Sequence, residues 1–253
     1  MNENYLVSVW ITTRNRPEML NRAIESVLNQ TYTNIEIIVV DDFSSDEVVK
    51  EIKSKEYPNN VRFIFNERNM GACYSRNIAI KSSHGTFVTG LDDDDEFTNN
   101  RVYELIKAYV LFGDRYSLYC SHTIVHGKKG KTYEKPYTNC LTIRDLLKTN
   151  RVGSQALVKR DYMINIGGFD ENLVASQDHD MWLRVIEKYG EGYKLDSVLY
   201  ISHDEEIINR ISAKKLDGLI QFYNKHKHKM NGLEKLFNIM RGIKMLVSRY
   251  ISI

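Results

Sequence analysis

Cysteine is scarce in this chain, and Cys73, Cys120 and Cys140 fall in no C-x-x-C spacing. An odd, scattered set excludes a zinc ribbon and offers no disulfide framework, so a reducing cytoplasm is the expected compartment. Proline is equally rare, at three residues, and no low-complexity linker or internal repeat interrupts the chain. One continuous body is therefore expected. No apolar run approaches the roughly 18 residues that a spanning helix needs. The opening Met1-Asn-Glu-Asn-Tyr5 lacks the basic start of a secretory signal. A large surplus of either charge is missing too, since 35 Lys and Arg stand against 33 Asp and Glu. A net charge of +2 is not that of a dedicated nucleic-acid binder, so no nucleic-acid partner is expected.

Near-neutrality conceals a gradient. From Lys214 to Ile253 nine Lys and Arg face only Asp217 and Glu234, a surplus of seven. The first 213 residues therefore carry a deficit of five. An acidic body with a basic tail suggests a surface partner for the tail.

The first hundred residues alternate between two periodicities. Leu6–Thr12, Asn34–Val40, Val61–Phe65 and Thr86–Leu91 are short, apolar and rich in β-branched residues, as buried strands are. Between them, Pro17 opens a helix carrying Met19, Ala23, Ile24, Val27 and Leu28, and further helices are expected over 48–55 and 72–83. This alternation predicts an α/β fold with a mixed, mostly parallel sheet flanked by helices. Beyond residue 100 the expected order is helix 100–112, strand Leu118–His126, a basic turn or hairpin at Lys128–Lys135 and helix 142–148. A strand near Ser154–Lys159, helix 178–189 and strand Asp196–Ile201 follow.

Polar clusters sit where strands end: Thr13-Arg-Asn-Arg16, Asp41-Asp42 and Asp92-Asp-Asp-Asp95. Ligands of open parallel sheets bind outside the carboxyl ends of the strands, so the three clusters should converge on one edge. Four adjacent carboxylates repel one another and call for a counter-ion. Hard oxygen ligands suit Mg²⁺ or Mn²⁺, which keep waters and take one or two carboxylates plus substrate phosphates. An EF-hand loop is excluded because its turn glycine would fall on Phe97. No G-x-x-x-x-G-K-[ST] and no G-x-G-x-x-G after the first strand are present, which disfavours Walker-type and Rossmann phosphate binding.

The ordered set VSVWITTRNRPEMLNRAIESVLNQTY, IEIIVVDDFSSD, NERNMGACYSRNIAI, FVTGLDDDDEF, IGGFDE and QDHDMWLRV resembles the successive signatures of glycosyltransferase family 2, over residues 5 to 212. The resemblance implies a GT-A fold, an inverting hexosyltransferase activity, a UDP-sugar donor and a Mn²⁺ or Mg²⁺ cofactor. It places Thr13, Asp41 and Asp42 beside the uracil and ribose, and Arg76 near the base and diphosphate. Asp92 and Asp94 match the D-x-D pair, with Asp94 the direct metal ligand and Asp92 also nearer the ribose. Asp93 joins the donor-nucleotide set, and Asp95 matches the aspartate that commonly follows. Asp178 falls on the catalytic base. Arg14 stands where the family often has an aromatic residue beside the nucleotide, and Gln177 where a glutamate usually precedes the base.

Such a transfer needs the leaving diphosphate stabilised, as a metal does by Lewis acidity, and a carboxylate to take the acceptor's proton. One base opposite the leaving group gives in-line displacement through an oxocarbenium-like transition state. Asp178 also has a plain structural alternative, since Asp178 and Asp180 are equally good caps for the helix that follows. His203 and Arg210 are candidates for the diphosphate. Gly168, Phe169 and Trp182 are candidates for the acceptor side, with a core role as the alternative for Trp182. A metal-dependent nucleotidyltransferase and a catalytically silent sugar-nucleotide-binding module are the rival classes.

The resemblance divides the chain into a catalytic domain, 1–212, and a basic amphipathic tail, 213–253. Residues 1–98 form its nucleotide-sugar half, and 99–212 its acceptor half with the base. In the tail, Leu236, Phe237, Met240, Ile243, Leu246, Val247, Tyr250 and Ile251 recur at helical steps among Lys235, Arg241, Lys244 and Arg249. Gly242 weakens that helix by about 1 kcal/mol relative to Ala. Two readings stay open: a helix lying on anionic lipid, or one packed on the body or on a homodimer partner. The first fits a peripheral enzyme on the inner face of a bacterial plasma membrane, acting on a polyprenyl-diphosphate-linked saccharide in O-antigen or capsule synthesis.

Overall fold

The computed structural model describes residues 5–127, 130–133, 139–204 and 208–251, the side chains of 130–133, 204–214 and 248–251 excepted. Along the chain run β1 (Val7–Thr13), α1 (Pro17–Leu28), β2 (Ile35–Asp41), α2 (Asp46–Ser54), β3 (Val61–Phe65), α3 (Ala72–Ser82) and β4 (Phe87–Asp92). Then come β5 (Glu96–Phe97), α4 (Arg101–Phe112), β6 (Leu118–Gly127), β7 (Gly130–Tyr133), β8 (Cys140–Leu141) and α5 (Ile143–Leu146). The remainder is β9 (Leu157–Lys159), α6 (Arg160–Asn165), α7 (Gln177–Tyr189), β10 (Gly192–Asp204), α8 (Ile208–His226) and α9 (Gly232–Ile251).

One mixed sheet runs in the order β3-β2-β1-β4-β9-β6-β10-β5, with β7 beside β6 and β8 beside β10. The long ladders β3–β2, β2–β1, β1–β4 and β6–β10 are parallel, and short antiparallel pairs through β9 join the two groups. Both faces are covered, which is why β1 and β2 read as unbroken apolar runs rather than alternating ones. Val7, Val9 and Ile11 pack with Ile37 and Val39 towards Leu20 and Ile24 of α1 and Leu105 of α4. Trp10, Ile38 and Val40 point the other way, to Ile80 of α3, Met163 of α6 and Trp182 of α7.

Register decides where chemistry can happen. Thr13 lies beside Asp41 across β1–β2, and Thr12 beside Asp92 across β1–β4. The first three polar clusters therefore share one sheet edge.

Where the structure departs from the sequence reading, pairing is the cause. β5 and β8 are two-residue strands set by antiparallel contact with β10, too short for any period. β10 begins at Gly192 rather than Asp196, because a register shift between Lys194 and Val198 lets the irregular stretch stay paired. Helix α6 is six residues long, and α8 spans the boundary expected at 212/213. Phe222 and His226 of α8 are buried, so that helix belongs to the packed body. Of the basic hairpin at Lys128–Lys135, residues 128–129 and 134–135 lie outside the described residues.

Gly168 is required by two constraints at once. Its φ is +73°, and a Cβ there would stand 2.4 Å from Asn77 Oδ1. That oxygen accepts from the Phe169 N–H at 2.7 Å while Asn77 Nδ2 donates to the Phe169 carbonyl at 3.0 Å. Gly168→Ala is expected to cost about 1–3 kcal/mol, read as a lower urea midpoint at unchanged slope.

Candidate functional site

An open cavity of about 950 Å³ lies at the carboxyl edge of β1, β2 and β4. Thr13, Arg14, Asp42, Arg76, all four aspartates of the acidic run and His203 line it.

The four aspartates are not equivalent. The run is a tight turn, closed by the Asp95 N–H donating to the Asp92 carbonyl at 3.0 Å. Asp93 and Asp95 are buried, at 6% and 5% exposure, whereas the side chains of Asp92 and Asp94 remain 28% and 24% exposed. All four line the cavity, but the alternate pair Asp92 and Asp94 offers it the more exposed carboxylates. Thr13 Oγ1 donates to Asp93 at 2.8 Å, and the Arg16 guanidinium reaches Asp93 at 3.2 Å and Asp94 at 3.1 Å. Burial still pushes the Asp93 carboxyl up to about 6, against Thr13 and Arg16. Burial and the Asp92 charge push Asp95 up to about 7, although the Tyr200 hydroxyl and the His203 N–H donate to it. Asp94 is raised as well, by burial and by Asp92.

Asp41 and Asp42 divide their labour. Asp41 is 1% exposed and accepts from the Ser44 N–H and hydroxyl, which folds the loop after β2. It is absent from the cavity wall and acts on that wall only through the loop. Asp42 lines the cavity, and its oxygens accept from Asn66 Nδ2 and from the Met70 and Gly71 N–H groups at 2.8–2.9 Å. That locks the entry to α3, which carries Arg76.

Arg76 is the junction of the site. Its guanidinium donates to Asp92 at 2.9 Å and to Asp178 at 3.2 Å, although the two acids are 86 residues apart and on different elements. Burial works against its charge, but Asp178 and Asp92 more than offset that and hold it above its ordinary value. Asp178 lies in the first turn of α7, 27% exposed, and reaches the cavity through Arg76. Burial pushes its carboxyl up to about 6, with Arg76 pulling down and Asp92 adding to the rise.

Neither acid caps α7. Ser176, with φ +60°, occupies the cap position, and the helix starts one residue before Asp178. Asp180 turns the other way. It is 0% exposed and receives Arg184, Lys225 and His226, each at 2.8 Å, tying α7 to α8. The sequence held the two aspartates equal as caps, and the structure separates their partners: Asp178 meets Arg76, while Asp180 is a buried strut between α7 and α8.

The acceptor candidates are corrected by burial. Trp182 is fully buried and donates through its ring N–H to the Gly153 carbonyl at 3.1 Å, so it stacks on nothing in the cavity. Phe169 is 2% exposed and sits edge-on between Trp10 and Trp182, with Arg76 over its ring at 5.3 Å. It supports Arg76 from below. Gly168 lines a separate cavity of about 460 Å³ with Arg184 and Lys225. His203 lines the main cavity, its ring 2.7 Å from Glu96. The backbone of Arg210 lies in α8, and its side chain falls outside the described residues.

Several participants escaped sequence reasoning. Arg16 sits in the polar cluster after β1 but had no assigned partner until Asp93 and Asp94 came within reach. Tyr200 comes from β10, more than a hundred residues from the acids it touches. Arg101 lies beneath it, 1% exposed, donating to Ser121 and the Gln155 carbonyl and stacked 5.2 Å from the Tyr200 ring. Lys215 lines the cavity from α8. None of these follows a local pattern.

Among the described residues no cluster of three His, Cys, Asp or Glu forms a metal cage. A hard divalent cation that keeps waters and shares a substrate phosphate needs only one or two carboxylates. Asp92 and Asp94, both oxygen donors facing the cavity, fit that requirement, and they are the residues that would hold it. Among the described residues no helix is long and apolar enough to cross a membrane.

Residues 8–169 match the model of the Glycosyl transferase family 2. The putative colanic acid biosynthesis glycosyl transferase WcaA of Escherichia coli K12 is 34% identical over 249 residues, spanning 94% of this chain and 88% of its own. The UDP-Glc:alpha-D-GlcNAc-diphosphoundecaprenol beta-1,3-glucosyltransferase WfgD of Escherichia coli is 30% identical, over 73% of this chain and 71% of its own. Among solved structures, a mannosyltransferase from Pyrobaculum calidifontis in complex with GDP-Man and Mn²⁺ has a TM-score of 0.68 at 14% identity, over 95% and 69% of the two chains. S. aureus TarS 1-349 in complex with UDP-GlcNAc gives 0.63 at 18% identity, over 95% and 71%. These two share the fold, a GT-A glycosyltransferase architecture. With a matching profile over most of its length and relatives along nearly all of it, this chain belongs to glycosyl transferase family 2.

Proposed function

We propose that this transferase moves a hexose from a UDP-sugar to a saccharide carried on a polyprenyl diphosphate, in bacterial polysaccharide assembly at the cytoplasmic face of the membrane. UDP-glucose and UDP-galactose are the first donors to test. The observation that carries the reading is Arg76, which joins Asp92 of the acidic run to Asp178 through one guanidinium. A group bound at the aspartates would have the Asp178 carboxylate of α7 beside its reacting carbon. The names of WcaA and WfgD, one a colanic acid enzyme and one acting on a diphosphoundecaprenol-linked sugar, support the pathway class and the acceptor class.

In this reading the acceptor hydroxyl attacks the anomeric carbon as the bond to the UDP oxygen breaks, and UDP leaves with the electron pair. Arg76 holds Oδ1 of Asp178, which leaves Oδ2 to take the hydroxyl proton. One displacement at one face inverts the anomeric configuration. A bound Mg²⁺ or Mn²⁺ supplies Lewis-acid stabilisation of the departing diphosphate. Arg16, Thr13 and the Tyr200 hydroxyl hold the aspartates in register before substrate arrives, so little reorganisation is left for the reaction.

A panel of labelled nucleotide sugars with a synthetic diphosphate-lipid saccharide tests this. The expected result is transfer from one UDP-hexose with stoichiometric UDP. Pyrophosphate as the product would make the chain a nucleotidyltransferase, and donor binding without Asp178-dependent turnover a silent module.

A further inference from the structure

The last helix is packed inside out. Asn231 and Glu234 form a reciprocal cap at its start, the Asn231 side chain accepting from the Glu234 N–H and the Glu234 carboxylate from the Asn231 N–H, each at 2.9 Å. Glu234 is then 1% exposed and paired with Arg144 at 3.0 Å. One turn on, Asn238 is 3% exposed and donates to the Leu147 carbonyl at 2.8 Å. The polar stripe of α9 is the one that touches the body.

The apolar stripe faces outward. Leu233, Leu236, Met240, Ile243 and Val247 are 77%, 55%, 57%, 48% and 50% exposed. At about 3.6 residues per turn, Leu236, Met240, Ile243 and Val247 lie opposite Glu234, Asn238 and Arg241. Lys235 and Lys244, both exposed, fall on the two flanks of that face. Ile220 of the adjoining α8 is 49% exposed, and Lys227 is exposed at the turn between the helices. An exposed apolar face of this extent marks an interaction site.

We infer that the outer face of α9 docks in the plane of an anionic phospholipid bilayer. The charge pattern selects this occupant. An apolar stripe flanked by lysines seats its side chains among acyl chains while the cations reach anionic headgroups. A second copy of the chain is disfavoured by the same pattern. Glu234, the one acid in residues 232–253, is buried against Arg144, so a self-contact would bring the Lys235 and Lys244 cations of two copies together with no acid of α9 between them. Among the described residues no helix is long and apolar enough to cross a membrane, and α9 presents one apolar face, so the contact is with one leaflet. The inference goes beyond the sugar-transfer reading and does not depend on it, because docking is read without substrate.

Flotation of the full chain with phosphatidylcholine vesicles, with and without phosphatidylglycerol, tests it, alongside solution mass by light scattering. The expected result is flotation with the anionic vesicles only, weakened by salt. Leu236→Glu/Ile243→Glu and Lys235→Glu/Lys244→Glu should each lower the bound fraction more than about tenfold with unchanged circular dichroism and melting. A wild-type chain that stays soluble with anionic vesicles overturns the inference. So does equal flotation with neutral vesicles, or a dimer that Leu236→Glu/Ile243→Glu dissociates. UDP release with a water-soluble acceptor should be unchanged in both variants, which keeps failure of docking distinct from failure of the transfer reading.

Discussion

Asp178→Asn is expected to lower kcat by about 10²–10⁴-fold, the usual contribution of a positioned general base. UDP-sugar affinity should change little, because Arg76 keeps Asp92, and the melting temperature should hold. The pH dependence sharpens the assignment. A base acts only when deprotonated, and burial sets this carboxyl at about 6. In the wild type kcat/KM should therefore be flat above that region and fall as pH drops through it. The residual activity of Asp178→Asn should lose that limb. A variant retaining near wild-type turnover, or an unchanged acid limb, would remove Asp178 from the chemistry.

Two residues along the same helix, the opposite pattern is expected. Asp180→Asn leaves Arg184, Lys225 and His226 facing a neutral amide at a position that is itself 0% exposed, with His226 buried beside it and Arg184 and Lys225 reaching partly to solvent. Removing one member of a buried ion network costs about 3–5 kcal/mol, which for a chain of this length lowers Tm by roughly 10 °C. Catalysis measured well below that Tm should stay within a few-fold of wild type, since Asp180 does not touch the cavity. Burial alone would raise this carboxyl, but His226, Arg184 and Lys225 together hold it well below the usual carboxylate range. A depressed folded value means that its stabilisation is fully present above the unfolded value, near 4, and is lost as pH falls below it. Urea titrations across acid pH should show wild type converging on Asp180→Asn. Parallel loss in both proteins would deny the network its role.

The contrast between these two aspartates shows where sequence reasoning stops. Both sit at the start of a helix with an apolar face, and both suit a cap. Which one faces Arg76 and which faces Lys225 is decided by α3 and α8, neither of them adjacent in sequence. Strands β1, β2 and β4 were legible because both faces of a parallel sheet are buried, so the code is a plain apolar run ending in a polar cluster. Tyr200 and Arg101 were not, because a single residue brought in by β10 or α4 carries no period. For Trp182 the structure takes the core side of the two open readings, and Phe169, expected in a turn framing the acceptor, is buried as well, because a lone aromatic reads alike in a wall or in a core. Helix α9 carries the reverse lesson. Its periodicity announced an amphipathic helix, but only the structure reveals that the polar stripe is the one packed on the body.

In the proposed reading Asp92 and Asp94, with a divalent cation, hold a UDP-sugar for a single displacement. The most direct test is UDP release in the presence of donor and lipid-linked acceptor, in EDTA and after Mn²⁺ is restored, for wild type and Asp94→Asn. The expected result is release that EDTA abolishes, that Mn²⁺ restores in the wild type, and that Asp94→Asn does not recover. Full UDP release in EDTA would contradict it.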